Sequence, residues 1–213
     1  MVDFLSKLCK NSSTSTLPYP FIELTLKVGL VGINKSVQNE IIYEATDITH
    51  DCLNKLQNNL EDGSDNSHDS LTTVKEFTLR YIKDENWRVR KRAVNIIEEI
   101  ANQLSKRNQL ETMEISDVLA LFDDDNIFVI KAAISCLRTL LSGETERIEK
   151  LISEWRPKAN DQAKKASSSK NKEDTKSLFT SLNVLLSCVY ACEYSLPEFL
   201  PRTCLFLHSC INS

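Results

Sequence analysis

The sequence predicts an all-α protein built from repeated helical hairpins. Three observations lead to this fold class. There are only 4 glycines and 5 prolines among 213 residues, and helices need fewer such turn residues than sheets do. Apolar residues recur at helical spacing in several segments. One segment also recurs, without a gap, 40 residues further along the chain.

Composition narrows the class of protein further. The net charge is -4, with 26 basic and 30 acidic residues, and this balance disfavours a dedicated nucleic-acid binder. The seven cysteines are odd in number and lack framework spacing, so we expect reduced thiols inside a cell. No apolar run approaches the ~18 residues of a membrane span, and residues 1–10 do not form a signal peptide.

The segment 1–70 is predicted to be a helical flank. Glu40–Leu60 carries one apolar stripe, and Phe21–Val31 is a shorter helix candidate. Residues 61–70 contain Gly63 and several acids but no large apolar side chain, so they predict an acidic loop.

Residues 71–155 are predicted to form two hairpins with a 40-residue period. Leu79–Ala93 aligns with Leu119–Ala133, and the shared positions are apolar or turn-forming. They are Leu79/Leu119, Ile82/Phe122, Asp84/Asp124, Asn86/Asn126, Val89/Val129, Ala93/Ala133, Val94/Ile134, Ile97/Leu137 and Ile100/Leu140. This period is typical of a HEAT or armadillo unit, and therefore of an α-solenoid. The alternative is a plain helical hairpin that matches itself by chance.

Each copy has a clear physical interpretation. One helix ends at Ile82 or Phe122, an acidic turn follows, and its Asp and Asn can cap the next helix. We expect Ala93 and Ala133 to be buried where two helices approach closely. Arg90 and Lys131 are expected to face solvent or to cap.

The last third of the chain divides at a polar segment. Residues 156–177 are basic and Ser-rich and contain no large apolar side chain, which predicts a disordered insertion. Residues 178–213 are predicted to form a third hairpin, with a helix over Leu178–Tyr190 and a last helix toward Ile211.

No catalytic, cofactor or metal site is predicted. His50, His68 and His208 are far apart in sequence and match no catalytic motif. Asp123–Asp125 could hold a divalent metal, but the repeat favours capping and solvation. A C-terminal group could form a zinc site, although its spacing favours buried thiols. Its members are Cys188, Cys192, Cys204, His208 and Cys210.

Two basic stretches have alternative interpretations. Trp87–Arg92 could contact nucleic acid, but a solvated face of a helix is the simpler interpretation. Lys164-Lys165 and Lys170-x-Lys172 are a weak match to a nuclear-localisation signal.

The order of these segments resembles a known family. It comprises Asn86-Trp-Arg-Val-Arg90, the hairpin Leu119–Leu141, the basic insertion and Cys188-Val-Tyr-Ala-Cys-Glu-Tyr-Ser-Leu-Pro-Glu-Phe-Leu-Pro201. This order is similar to the C-terminal part of the proteasome activator subunit 4 family, the bleomycin-sensitivity family of large HEAT-repeat activators. Tyr194–Pro201 is the most specific piece, and the resemblance covers roughly Leu71 to His208.

The resemblance implies a non-enzymatic function without a cofactor. Members of the family cap the α ring of the proteasome core particle without ATP and favour entry of peptides or unstructured chains. The resemblance also implies acetylated histones as partners, roles in DNA repair and spermatogenesis, and a location in nucleus and cytoplasm.

This chain departs from the family in two places. It ends Ser209-Cys-Ile-Asn-Ser213, without the family's docking tail and its penultimate Tyr. We therefore expect a truncated chain or fragment that binds the core particle weakly or not at all. Ser142-Gly-Glu-Thr145 stands where the family has its proposed acetyl-lysine reader, so no residue is carried over. The alternative function is a generic HEAT-repeat scaffold or transport adaptor with no proteasome role.

Overall fold

The computed structural model describes residues 24–25, 28, 74–76, 78–106, 110, 113–168 and 171–192. Every regular element in these ranges is helical, which confirms the all-α class. The chain divides into two compact units, Met1–Gln103 and Leu104–Ser213. Apart from helical residues 24, 25 and 28, the predicted N-terminal flank lies outside the described residues, as does the last predicted helix.

The first unit is described mainly around the first copy of the repeat. Residues 74–76 and 78–79 are helical, and a 3-10 helix follows over Tyr81–Lys83. Helix α1 spans Trp87–Ser105 and runs past the boundary of the unit. Its apolar positions recur every three or four residues and are buried, which is why this sequence folds as a helix against a core. They are Val89, Ala93, Val94, Ile96, Ile97, Ile100, Ala101 and Leu104.

The second unit contains four α-helices in its described part. They are α2 (Ser116–Ala120), α3 (Ile127–Leu140), α4 (Thr145–Ser168) and α5 (Lys172–Ala191), with a 3-10 helix at Leu121–Asp123 between α2 and α3. Helix α5 packs most extensively against α4, and also against α3 and the 3-10 helix. Helix α2 packs against α3. The core of this unit therefore lies between α5 and its three neighbours.

The predicted burial of the two alanines is confirmed in both copies. Ala93 in α1 and Ala133 in α3 are each fully buried. Ile82 and Phe122, each at the middle of the 3-10 helix before the turn, are also buried. A buried alanine lets neighbouring atoms approach where a larger side chain would not fit.

A tight turn at Gly143 joins α3 to α4. The Glu144 N–H donates to the Leu141 carbonyl at 3.0 Å, and Gly143 between them has a φ of 81°. This left-handed backbone is accessible to glycine without steric cost. The glycine thus reverses the chain between two long helices.

The predicted disorder of residues 156–177 is wrong wherever the structure describes the segment. Helix α4 continues to Ser168 and α5 begins at Lys172. Residues 156–168 contain no glycine and no β-branched residue, and their Ala, Lys, Arg and Gln are good helix formers. Ala159 is fully buried, and the Ser181 hydroxyl of α5 donates to the Gln162 side chain of α4. The third hairpin therefore pairs α5 with α4 and begins before residue 178.

Helix α4 is built unevenly along its length. Its first half buries Ile148, Leu151 and Ile152, whereas Ala159 is the one buried residue among the described positions of its second half. Pro157 lies between the two halves, and it has no N–H to donate to the Ser153 carbonyl one turn earlier. The helical hydrogen-bond ladder is therefore interrupted where the burial of large apolar side chains ends.

Candidate interaction surface

The two copies of the repeat form turns with the same backbone. Asp84 has φ −62° and ψ 147°, and Asp124 has φ −61° and ψ 146°. In each turn the Asp N–H donates to a carbonyl three residues earlier at 3.2 Å. The turn at Asp124 thus reproduces the turn at Asp84 at the 40-residue offset that the sequence predicts.

Side chains close both turns in the same way. The Asp84 carboxylate accepts from the Asn86 N–H at 2.8 Å, and Asp124 accepts from Asn126 at the same distance. The Asn86 and Asn126 side chains then accept from the N–H two residues further on, each at 3.0 Å. An Asp side chain that bonds two residues ahead makes an Asx-turn, and an Asn at the N-cap satisfies a free helical N–H. These side chains explain why Asp and Asn recur at fixed positions.

An arginine holds the first turn from within its own copy. Arg90 Nη1 donates to the carbonyls of Asp84 and Glu85, at 2.8 and 2.9 Å. This confirms the prediction that Arg90 caps, while Lys131 on α3 faces solvent as predicted. The position equivalent to Arg90 in the second copy is Ile130, which cannot donate.

Helix α5 holds the second turn from outside it. Lys176 Nζ lies 3.2 Å from an Asp125 carboxylate oxygen and 3.4 Å from one of Asp123. The Thr180 hydroxyl donates to the Phe122 carbonyl at 3.2 Å. The hydrogen bond with Asp125 is the main cause that raises the pKa of Lys176, with Asp123 adding to it against partial desolvation. These contacts were not predicted, because Lys176 falls in the segment 156–177 that the sequence predicts to be disordered.

The three consecutive carboxylates therefore have separate roles. Asp124 closes the turn, as predicted, whereas Asp123 and Asp125 are exposed and face Lys176. Within the ranges that the structure describes, no three His, Cys, Asp or Glu side chains cluster in a way that could hold a metal ion.

Apolar side chains are exposed directly after this acidic turn. Ile127 is 54% exposed and Phe128 is 49% exposed, at the start of α3. We call Asp123, Asp125, Ile127 and Phe128 the turn surface. Two apolar groups beside two carboxylates form a contact area of the kind that protein partners bury, with an apolar centre and a polar rim.

The four positions of the first copy that are equivalent to the turn surface carry side chains of a different type. They are Lys83, Glu85, Trp87 and Arg88, and Arg88 lies over the ring of Trp87 at 5.2 Å from its centroid. Trp87 and the cations up to Arg92 are half-buried, apart from the exposed Arg88. Part of the predicted solvated face is therefore packed against the protein.

Two of the cysteines considered for zinc are Cys188 on the inner face of α5 and Cys192 at its C-cap. Cys188 and Cys192 are buried and carry free thiols. Burial, with a smaller contribution from neighbouring Cys192, raises the pKa of Cys188 to about 12, and burial also raises the pKa of Cys192. Both groups are therefore thiols rather than thiolates at neutral pH. Cys204, His208 and Cys210 lie outside the described residues, as do His50 and His68.

The lysines considered for nuclear import lie partly on helices. Lys164 and Lys165 are exposed on the second half of α4, and Lys172 is the first residue of α5. Lys170 lies outside the described residues.

An open groove of about 350 Å³ lies within the second unit, between the segment that leads into α2 and the first half of α4. Met113 and Leu151 form an apolar base, and Arg147 and Glu154 stand at its edge. Arg147 Nη1 donates to the Leu110 carbonyl at 3.2 Å, so this arginine helps to hold the chain segment beside the groove.

Comparison with known proteins leaves the family open. No protein-family model matches this chain, and no curated protein matches it. Among the described helices, none is long and apolar enough to cross a membrane.

Proposed function

We propose that this chain is a non-catalytic helical-repeat module that binds other proteins. Its partner in this proposal is the α ring of the proteasome core particle, as in the family that the sequence resembles. By the same resemblance we propose a nuclear and cytoplasmic location, with roles in DNA repair and acetylated-histone turnover. The alternative is a HEAT-repeat scaffold or transport adaptor with no proteasome role.

The pair of matching turns is the observation that carries this proposal. Asp84 with Asn86 and Asp124 with Asn126 give two turns with equal hydrogen bonds, one in each copy of the repeat. Repeated hairpins of this length are typical of solenoids, whose extended surfaces bind other proteins. The Asp and Asn side chains of the turns serve the fold, and the exposed side chains beside the second turn remain available for partners.

The turn surface supports a partner of mixed apolar and polar character. Ile127 and Phe128 place apolar area in solvent beside the exposed Asp123 and Asp125. A phosphate backbone would be repelled by these carboxylates, whereas a protein surface can bury the apolar groups and pair with the acids. An aromatic group such as Phe128 is the type of residue that often dominates binding energy.

Binding to purified core particle tests the proposal directly. The chain is immobilised, and core particle is passed over it at increasing concentration. We expect weak but saturable binding at micromolar concentrations of core particle, and Phe128→Ser should weaken it about tenfold or more, as for a hot-spot side chain. Arg88→Ser is the matched control, because it changes the equivalent exposed position of the first copy, and it should bind like the parent chain.

The outcomes separate the two candidate functions. Binding that Phe128→Ser and Arg88→Ser affect equally would refute the turn surface as the contact. No binding at high micromolar concentration, by a chain whose helical circular dichroism is intact, would refute the core particle as partner and favour the scaffold alternative.

A further inference from the structure

The outer face of α5 carries no charge from Ser177 onward, although the exposed Lys172 begins the helix. Residues 177–191 include no Asp, Glu, Lys or Arg, although such residues make up 26% of the chain. On the inner face of α5, the side chains of Ser181, Val184, Leu185 and Cys188 are buried. A helix that packs on one side and faces water on the other normally carries charged residues on its outer side.

Four residues form a stripe along the middle of this outer face. Phe179 is 63% exposed and Tyr190 is 46% exposed, and Asn183 and Leu186 lie half-exposed between them. Their spacings of four, three and four residues keep them on one side of a helix. We call Phe179, Asn183, Leu186 and Tyr190 the outer stripe.

The ends and the spacing of the outer stripe are alike in both directions along α5, although its inner positions, Asn183 and Leu186, differ. An aromatic residue stands at each end, and the spacings are the same from either end. In an antiparallel pair of such helices, Phe179 of one copy faces Tyr190 of the other, and Asn183 faces Leu186. This is the reciprocal pairing that a two-fold axis requires.

We propose that the outer stripe binds the outer stripe of a second copy of this chain, antiparallel and about a two-fold axis. A neutral stripe against a neutral stripe leaves no charge buried without a partner. Antiparallel helices also bring the positive end of each dipole beside the negative end of the other. The two Asn183 side chains lie near the axis, where a polar residue in an apolar seam selects register and orientation.

The size of the stripe sets the expected strength of the dimer. Four residues from each helix bury less than the about 1,600 Å² of a standard interface. We therefore expect a dimer with a dissociation constant in the micromolar range. Sedimentation velocity of the chain from low to high micromolar concentration should show a reversible shift from monomer to dimer.

Two substitutions of opposite charge test the antiparallel geometry. Phe179→Lys and Tyr190→Glu should each weaken self-association about tenfold or more, because each places two charges in the seam. Mixing the two variants should restore a dimer. In the mixed pair, the introduced lysine of one copy faces the introduced glutamate of the other and forms an ion pair. The remaining Tyr190 still faces the remaining Phe179. Lys131→Glu, an exposed change on α3, is the control and should dimerise like the parent chain.

Three outcomes would overturn the proposal. A monomeric parent chain at all concentrations would mean that another part of the chain or a different partner covers the stripe. A dimer that persists in Phe179→Lys would place the interface elsewhere. Weakened single variants that fail to pair when mixed, with unchanged helical circular dichroism, would refute the antiparallel arrangement. None of these outcomes depends on binding to the core particle.

Discussion

The turn at Asp84 and the turn at Asp124 share a backbone but are held in different ways. In the first turn, Arg90 from the following helix donates to two carbonyls of the turn itself. In the second, Lys176 and Thr180 reach it from α5, a helix that is distant along the chain. The same local geometry is thus stabilised once by a local contact and once by a tertiary one.

The comparison shows which side-chain contacts the two turns share and which they do not. The Asp and Asn side chains bond to backbone groups two residues away, so they work in any tertiary setting. Positions 90 and 130 carry different residues, Arg and Ile. The two turns therefore share their Asp and Asn contacts, while the side chain at this following position differs.

Overpacking the buried alanines should have the largest effect on stability. We expect Ala93→Leu and Ala133→Leu each to lower the free energy of unfolding by ~1–3 kcal/mol, because both sites are fully buried. Chemical denaturation measures the change. Ala120→Leu, at an exposed site in α2, is the control. If only one of the two variants lost stability, the copies would differ in packing as well as in capping.

Removing the helix caps should lower the free energy of unfolding by less than overpacking does, and by equal amounts in the two copies. Asn86→Ala and Asn126→Ala each remove one side-chain acceptor at 3.0 Å from a helical N–H. We expect each to destabilise the protein by ~0.5–2 kcal/mol. Asn160→Ala, exposed within α4, should cause no loss. Unequal costs at the two caps would show that the tertiary setting changes even this local contact.

Replacing the arginine should affect only the first turn. Arg90→Met keeps much of the side-chain length but removes both hydrogen bonds to the turn carbonyls, and we expect a loss of ~0.5–1.5 kcal/mol. Lys131→Met, at an exposed position of α3, is the control. A stability equal to that of the parent chain would mean that the turn is held by its Asp and Asn side chains alone.

Neutralising Lys176 should have the smallest effect, confined to the second turn. Lys176→Gln should lower the melting temperature slightly at low salt and hardly at all at high salt, because the ion pairs are exposed. Lys165→Gln on α4 is the control. A loss that is independent of salt would show that the lysine acts by packing instead.

The contribution of Lys176 to the stability of the fold should also depend on pH. Its pKa is raised in the folded state, so its stabilisation is present below the ordinary value of 10.5 and is lost as the pH rises through the folded pKa. The difference in melting temperature between the parent chain and Lys176→Gln should therefore disappear at strongly alkaline pH.

Local features were predictable from the sequence, and long-range ones were not. Asp84 and Asn86 act within two residues, and the buried Ala93 follows from helical periodicity. The helical state of residues 156–168 was missed, because a lack of large apolar side chains outweighed good helix propensity. Ala159 is small, yet it anchors that segment. No local pattern indicates that Lys176 meets Asp125, since this contact exists only once α5 has packed.

Pro157 gives α4 two parts that should exchange their amide hydrogens at different rates. The ladder bond to the Ser153 carbonyl is missing, and the large buried side chains lie before it. Fraying from Ser168 back to the proline exposes Ala159 and breaks the hydrogen bond between Ser181 and Gln162, but it leaves Ile148 and Leu151 packed. Amides after Pro157 should lose their protection by local opening, while those before it require unfolding of the helix pair. The proline thus marks a boundary of cooperativity within a continuous helix.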